Sequence, residues 1–326
     1  MKKILLSTAL IVVATVANSQ TLMTENFETL TVGNVSADAT GLTPGQGGWS
    51  INGPSVADFQ IISSGTDKDL QITGAAGDAT SSRYMWKDGL AALWAARTPG
   101  NNIIQIEYDF FTGPTSTSKN TVGMELYNTA YAKYLGGFRM RADTKVLNGI
   151  YTTAAGINPS LVNLGATPVV LPANQWVRVG WAYNSTTGLI TFKGPGFEGT
   201  IAGAVSDIYE LDFTMENFET TGNTSSFNAL FDNLAVRAVA AVNLLGTSEA
   251  TLKKMGISVS PNPTADYLRV DSKARILNTY IYDLSGIRMD AKMVDGKIDV
   301  RSLPVGNYIL GLKTEEGMVS KKFIKK

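Results

Sequence analysis

Glu107 and Asp109 stand two apart in the run Ile103 to Phe111 (IIQIEYDFF), so on a β-strand both carboxylates point to one side. Two carboxylates sharing a face are the minimum needed for acid and base work on a glycosidic bond. Much other chemistry is closed to this chain. With no histidine and no cysteine in 326 residues, it cannot assemble a Ser-His-Asp or Cys-His nucleophile or a histidine-ligated zinc site, and no disulfide staples it. Carboxylate pairs and oxygen-ligand calcium sites remain.

The elements that would position such groups are strands. Charged residues make up only 17% of the chain and no long amphipathic helix is present, so the composition predicts an all-β protein. Strands are expected at Ile103–Phe111, Val122–Tyr127, Trp176–Tyr183, Leu189–Phe192 and Leu230–Val236. The polar, glycine-ended loop 184–188 (NSTTG) joins the third and fourth as a hairpin. Lys87 to Ala96 (KDGLAALWAA) is a short helix candidate, stopped by Pro99-Gly100. The string ENFET occurs at 25–29 and again at 216–220, and reads as coincidence or as two similar strand ends.

Lys2 and Lys3, an apolar run from Ile4 to Ala17 and the small residues before Gln20 have the layout of a signal peptide over 1–19. No later stretch is long and apolar enough to span a membrane, so no transmembrane segment is expected in the mature chain. Residues 20–249 carry 12 Lys and Arg against 20 Asp and Glu, a balance of −8, whereas 250–326 carry 14 against 8, a balance of +6. Two units with different tasks follow. The acidic unit is a poor partner for nucleic acid, whose phosphates require Lys and Arg. The boundaries expected are a passenger at 20–240, a linker at 241–254 and a second unit at 255–326.

That second unit is dense in motif. Pro261-Asn262-Pro263 opens it, Asp283-Leu284-Ser285-Gly286 forms a turn before Arg288, Leu303-Pro304-Val305-Gly306-Asn307-Tyr308 leads into Ile309-Leu310, and Phe323-Ile324-Lys325-Lys326 comes last. Pro304 presets φ for a turn, Gly306 permits positive φ, and Tyr308, Leu310 and Leu312 share a core face. In order and spacing this resembles the type A sorting domain of the type IX secretion system of Bacteroidetes-like bacteria, a small immunoglobulin-like sandwich of seven strands. The resemblance implies export across the outer membrane by the type IX machinery. It also implies removal of the domain, with the passenger released or attached to surface lipopolysaccharide. Arg288, Lys321, Lys322, Lys325 and Lys326 are either recognition charges or solubilising ones.

The passenger hairpin resembles the central strands of concanavalin A-like and laminin-G-like domains, which implies a two-sheet jelly-roll sandwich. In carbohydrate-binding jelly rolls an opening carboxylate and a closing aspartate contribute to a structural calcium site. Here Glu28 and Asp232, with Glu25 as a weaker third, stand at those places. By strict alternation Asp232 shares a face with Leu230, Leu234 and Val236, and if that face is core its carboxylate needs a cation or several donors. The alternative is a strand-end aspartate accepting loop N–H bonds. Export followed by carbohydrate binding without catalysis, outside the cell or on its surface, is the function these resemblances imply. Glycoside hydrolysis by Glu107 and Asp109 is weaker, because the laminarinase-like string Glu-x-Asp-x-x-Glu has Thr112 in its last place and would need Glu125 on a neighbouring strand. An adhesive or structural surface protein is the third possibility. Trp49, Trp86, Trp94, Trp176, Trp181 and the tyrosines are the sugar-stacking candidates, most of them expected in the core.

Overall fold

The computed structural model describes residues 19–65, 67–77, 81–156, 159–246, 256–283, 286–314 and 317–326. The expected signal peptide up to residue 18, residues 247–254 of the expected linker and Leu284-Ser285 of the turn lie outside the described residues. Among the described residues no helix is long and apolar enough to cross a membrane.

The passenger is two antiparallel sheets face to face. Across the first, the strands run Phe197–Ala202, Leu189–Gly194, Trp176–Asn184, Ile103–Phe111, Phe227–Val239, Asp67–Gly74, Phe59–Ser64 and Gly33–Asn34, with Gln20–Glu25 paired onto Phe227–Val239. Across the second they run Pro159–Asn163, Val146–Thr152, Tyr134–Arg141, Thr121–Tyr127, Glu210–Asn217, Ser81–Lys87 and Trp49–Asn52, with Val169–Val170 beside Val146–Thr152. The expected hairpin forms, with Trp181 opposite Phe192 and Gly188 at φ 73 closing its loop. Opening and closing strands are neighbours, Glu25 lying opposite Leu234. The short helix Leu90–Ala95 sits on this scaffold with Leu90 and Trp94 buried.

Period-two alternation explains the layering. Ile104, Ile106, Tyr108 and Phe110 point between the sheets, while Gln105, Glu107 and Asp109 point away. Aromatic rings fill the interlayer: Phe213 lies 5.0 Å from Phe231 and 5.7 Å from Trp49, and Trp181 lies 5.8 Å from Phe138. Burial of rings on this scale, with no disulfide available, is what holds the sandwich.

Alternation fails at one place that matters. The ladder of Phe227–Val239 shifts between Asp232 and Ala235, and Asn233 adopts φ 52. This bulge inserts a residue, so Phe231, Leu234 and Val236 face the core whereas Asp232 faces outward. The expected shared face of Asp232 with Leu234 and Val236 is thereby corrected.

Residues 256–326 form two four-stranded sheets, one of Ser258–Ser260, Tyr267–Asp271, Lys297–Asp299 and Met293–Val294, the other of Arg288–Asp290, Ile276–Asp283, Gly306–Thr314 and Gly317–Lys325. Among the described residues of this unit there are eight strands against the expected seven, counting the two-residue Met293–Val294. Leu268, Ile281, Ile298, Leu310, Leu312 and Phe323 are its core, and Tyr308 stacks on Phe323 at 5.5 Å. Gly306 does not take positive φ; it opens a strand instead.

Candidate functional site

The outer face of the second sheet gathers carboxylates and rings. Glu125 and Asp212 are opposite one another across the ladder of Thr121–Tyr127 and Glu210–Asn217, and Trp86 is the partner of Asp212 on its other side. Arg139 donates through Nε to Glu125 and lies 2.9 Å from Glu216 Oε2 through Nη2. Tyr127 donates its hydroxyl to Glu125 at 2.5 Å, and Tyr84 donates to Glu216 at 2.7 Å. The guanidinium lies over Phe218 at 4.9 Å and over Tyr134 at 5.6 Å, and a row of rings continues from Tyr134 to Tyr127 at 5.0 Å and on to Tyr131 at 6.1 Å. Phe218 and Tyr131 are each 52% exposed, while the carboxylates beneath are buried. Gly123, opposite Arg139, has no room for a side chain, since a Cβ there would lie 1.7 Å from the Phe138 carbonyl oxygen.

Electrostatics on this face favour protonated acid. Burial, and then the charges of Glu210 and Glu125, push the Asp212 carboxyl well above the ordinary carboxylate range, and burial raises Glu216 and Glu210 as well. Asp212 Oδ1 is buried with no hydrogen-bond partner among the described residues. Because the fold favours the protonated form, stability attributable to this group is full below the unfolded value of 3.8 and is lost as pH rises through the folded one. Asp212→Asn lacks that loss. It is expected to match the wild type near pH 4 and to exceed it by about 1–3 kcal/mol at pH 8, measured by urea unfolding at both pH values. A variant less stable than wild type at pH 8 would show that the charge is compensated there.

The outer face of the first sheet holds the residues singled out in the sequence. Glu107 and Asp109 do point to one side, but Arg178 occupies them, 2.8 Å from Asp109 Oδ1 and 3.2 Å from Glu107 Oε2, and Arg237 lies 3.4 Å from Glu107. Burial alone would raise Glu107; Arg237 and Arg178 outweigh it and hold the group below the usual range. Glu125 is in the other sheet, so it is no neighbour of this pair, and its strand pairs with Tyr134–Arg141 and Glu210–Asn217. Residues 243–245, expected as linker, are bound to the same face: Asn243 N donates to Gln105 and Leu245 N to Glu107, each at 3.0 Å.

Of the three expected metal ligands, two meet. Glu28 and Asp232 both contact the Lys313 ammonium, at 3.0 and 3.1 Å. Glu25 turns elsewhere, accepting from the backbone N–H groups of Asn26 and Phe27 and from Trp49 Nε1 at 2.9 Å. Asp232 also accepts from its neighbour Asn233, at 2.7 Å from the backbone N–H, so the loop-bonded alternative describes part of its environment. Sequence reasoning missed Asp67 and Asp69, although their spacing in DKDLQITG puts both carboxylates on one face of a strand. It also missed the face around Asp212.

The second unit docks on the first sheet through its own motif. Tyr282 donates to Asp109 at 2.7 Å and Tyr280 to Asp67 at 2.5 Å. Gly286, at φ 83, accepts from Arg178 N at 3.1 Å, and a Cβ there would come within 3.0 Å of the Arg178 carbonyl oxygen. Arg288 is sandwiched between Trp176 at 4.4 Å and Tyr280 at 4.5 Å, so in this structure it faces the passenger. Asp283 closes the turn by accepting from Ile287 N at 3.0 Å. Between Pro261 and Pro263, Asn262 ties down the last strand, accepting from Ile324 N at 2.9 Å and donating to the Lys322 carbonyl at 3.0 Å. Tyr308 donates to the Pro304 carbonyl at 2.9 Å, fixing the turn that contains Leu303.

No curated protein matches the sequence. Among solved structures the chain is similar to alginate lyase vAL-1 from Chlorella virus, at 9% identity and TM-score 0.43, covering 64% of this chain and 99% of that one. It is similar to a sialidase at 10% identity and TM-score 0.40, covering 63% of this chain and spanning only 18% of the sialidase. A structure described as "Cell entry of botulinum neurotoxin type C is dependent upon interaction with two ganglioside molecules" is matched at 8% identity and TM-score 0.41, over 88% of this chain and 72% of that one. Residues 258–326 match the family described as Secretion system C-terminal sorting domain. With the Pro-Asn-Pro clasp, the Asp283–Gly286 turn and the Tyr308 hairpin all in place, these residues are a type IX secretion sorting domain, carried behind a β-sandwich passenger.

Proposed function

We propose that the type IX machinery delivers this chain outside the cell, where the sorting domain is removed and the passenger, free or attached to surface lipopolysaccharide, binds carbohydrate without catalysing its cleavage. The observation that carries the recognition half is the outer face of the second sheet, where Phe218 and Tyr131 stand exposed around Arg139 and the buried acids. Rings with apolar faces stack on sugars, and a fixed guanidinium offers donors to hydroxyl or carboxylate groups. Glu125 and Glu216 are committed to Arg139, Tyr127 and Tyr84, which suits a rigid floor better than an acid and base pair free to exchange protons.

The test is a glycan array probed with residues 20–326, followed by titration of the best glycan. Phe218→Ala and Tyr131→Ala are each expected to weaken binding by about tenfold, near 1.4 kcal/mol, with the fold unchanged by circular dichroism. Binding unaltered in both variants would move recognition to another surface. Absence of any bound glycan would favour the adhesive reading. Glycoside hydrolysis is the second reading, favoured by the raised Asp212 carboxyl beside Glu125. Reducing sugar released from a polysaccharide panel and abolished by Asp212→Asn would establish it.

A further inference from the structure

Lys313 belongs to the sorting domain, yet its ammonium is fully buried among the acids of the passenger. Asp67 Oδ1 lies 2.7 Å from Nζ, Glu28 Oε1 3.0 Å, and the two oxygens of Asp232 3.1 and 3.2 Å. An ammonium has three protons and here touches four carboxylate oxygens, so it fills the place of a spherical cation more than that of a directional donor. A fourth acid adjoins it: ligand atoms of Asp67, Asp69 and Asp232 all lie within 4.8 Å of one another. Asp69 is 1% exposed, and its Oδ1 has no hydrogen-bond partner among the described residues. Its other oxygen accepts from Ser64 at 2.5 Å. Other donors around the cluster include the Tyr280 hydroxyl and Asn278 Nδ2 on Asp67, Asn233 on Asp232 and the Lys68 backbone N–H on Glu28.

Every carboxylate of this cluster comes from the passenger, on the strands Asp67–Gly74 and Phe227–Val239 and on the turn after Gln20–Glu25, whereas the cation touching three of them comes from the unit that export discards. Removing the sorting domain takes away Lys313, Tyr280 and Asn278 together. The four acids are then left without those partners. Their donor set is all oxygen, with neither histidine nor cysteine in the chain, which selects a hard divalent ion of irregular, high coordination such as calcium.

We propose that Asp67, Asp69, Asp232 and Glu28 form a calcium site of the mature passenger, and that Lys313 holds it closed until the sorting domain is removed. The order of events rests on the removal stated under the proposed function; the site itself does not. Calcium replaces one positive charge by two among these acids, so the passenger is expected to gain rigidity at the junction of its first and last strands only after it has been exported.

The experiment uses residues 20–326 with a specific protease site placed within 247–254, and calcium chloride as the probe. Before cleavage, calorimetry should register no calcium binding. After cleavage and separation, the passenger should bind one calcium with a dissociation constant on the order of 10⁻⁴ M and melt at a higher temperature with calcium than with chelator. Asp232→Asn should weaken that binding more than tenfold. In the uncut chain, Lys313→Ala should by itself confer a calcium-dependent rise in melting temperature. A cleaved passenger that keeps its near-ultraviolet circular dichroism and takes up no calcium at about 10 mM overturns the site, and an uncut wild-type chain that binds equally well overturns the gating. Should the cleaved passenger unfold, Lys313→Ala in the uncut chain decides alone: recovery of fold or melting temperature on adding calcium supports the site, and no response rejects it. No glycan and no export machinery enters these measurements, so their failure is distinguishable from failure of the export or carbohydrate readings.

Discussion

Arg178→Met is expected to destabilise the full chain by about 3–5 kcal/mol, the cost of breaking a buried ion pair by removing one partner. Arg178 is packed between Asp109 and Glu107 and also donates to the Asn233 carbonyl at 3.3 Å, so the variant leaves two acids in a dry place with fewer donors. Glu107 retains Arg237 at 3.4 Å and Asp109 retains Tyr282, which sets the upper bound. Urea unfolding at pH 7 reads the effect. The pH dependence follows from the lowered Glu107. An acid whose folded value is depressed contributes stability that is present above its ordinary 4.5 and lost as pH falls below it, so the gap between wild type and variant should be full above about pH 5 and should narrow towards pH 3. A loss under about 1 kcal/mol at pH 7 would mean that solvent reaches the pair and screens it.

Deleting residues 255–326 is expected to leave the passenger in the periplasm of a host that has the type IX machinery, with little or none reaching the medium. The passenger core, from Leu22 to Ala238, and the sorting core, from Ile257 to Phe323, are separate clusters, but Ile287 packs against the first and the deletion strips Asp67, Asp109 and Asp232 of Tyr280, Tyr282 and Lys313, so circular dichroism of the truncated passenger accompanies the assay. Loss of export by a passenger that keeps its fold reports on recognition of the tail. Fractionation with antibody against the passenger measures it. Passenger appearing in the medium as efficiently as from the intact chain would remove the basis for the delivery reading.

These two results bear on one arrangement. The sorting domain covers the outer face of the first sheet through Tyr280, Tyr282, Arg288 and Lys313, and the outer face of the second sheet, with Phe218 and Tyr131, stays open. Of the charges weighed as recognition groups, Arg288 is committed to the passenger in the folded chain. The other sheet of the sorting domain, Ser258–Ser260, Tyr267–Asp271, Lys297–Asp299 and Met293–Val294, lies on the far side of the sorting core from that interface.

By itself the sequence determined the all-β class, the Trp176 to Phe192 hairpin and the turns of the sorting motif, because each of these depends on contacts between residues close in the chain: alternation, turn glycines and prolines, and side chains that bond their own turns. Asp283 to Ile287 and Tyr308 to Pro304 are such contacts. Tertiary structure alone decided the sites. Lys313 meets Glu28 across 285 residues, Glu125 and Asp212 meet only because two distant strands pair, and a single bulge at Asn233 turned Asp232 from the expected core face to the outer one. The repeated ENFET string shows the same limit, since both copies end strands, yet Phe27 is fully buried and Phe218 is 52% exposed. Identical letters carry identical local preferences; which layer covers them is fixed by partners that no local pattern names.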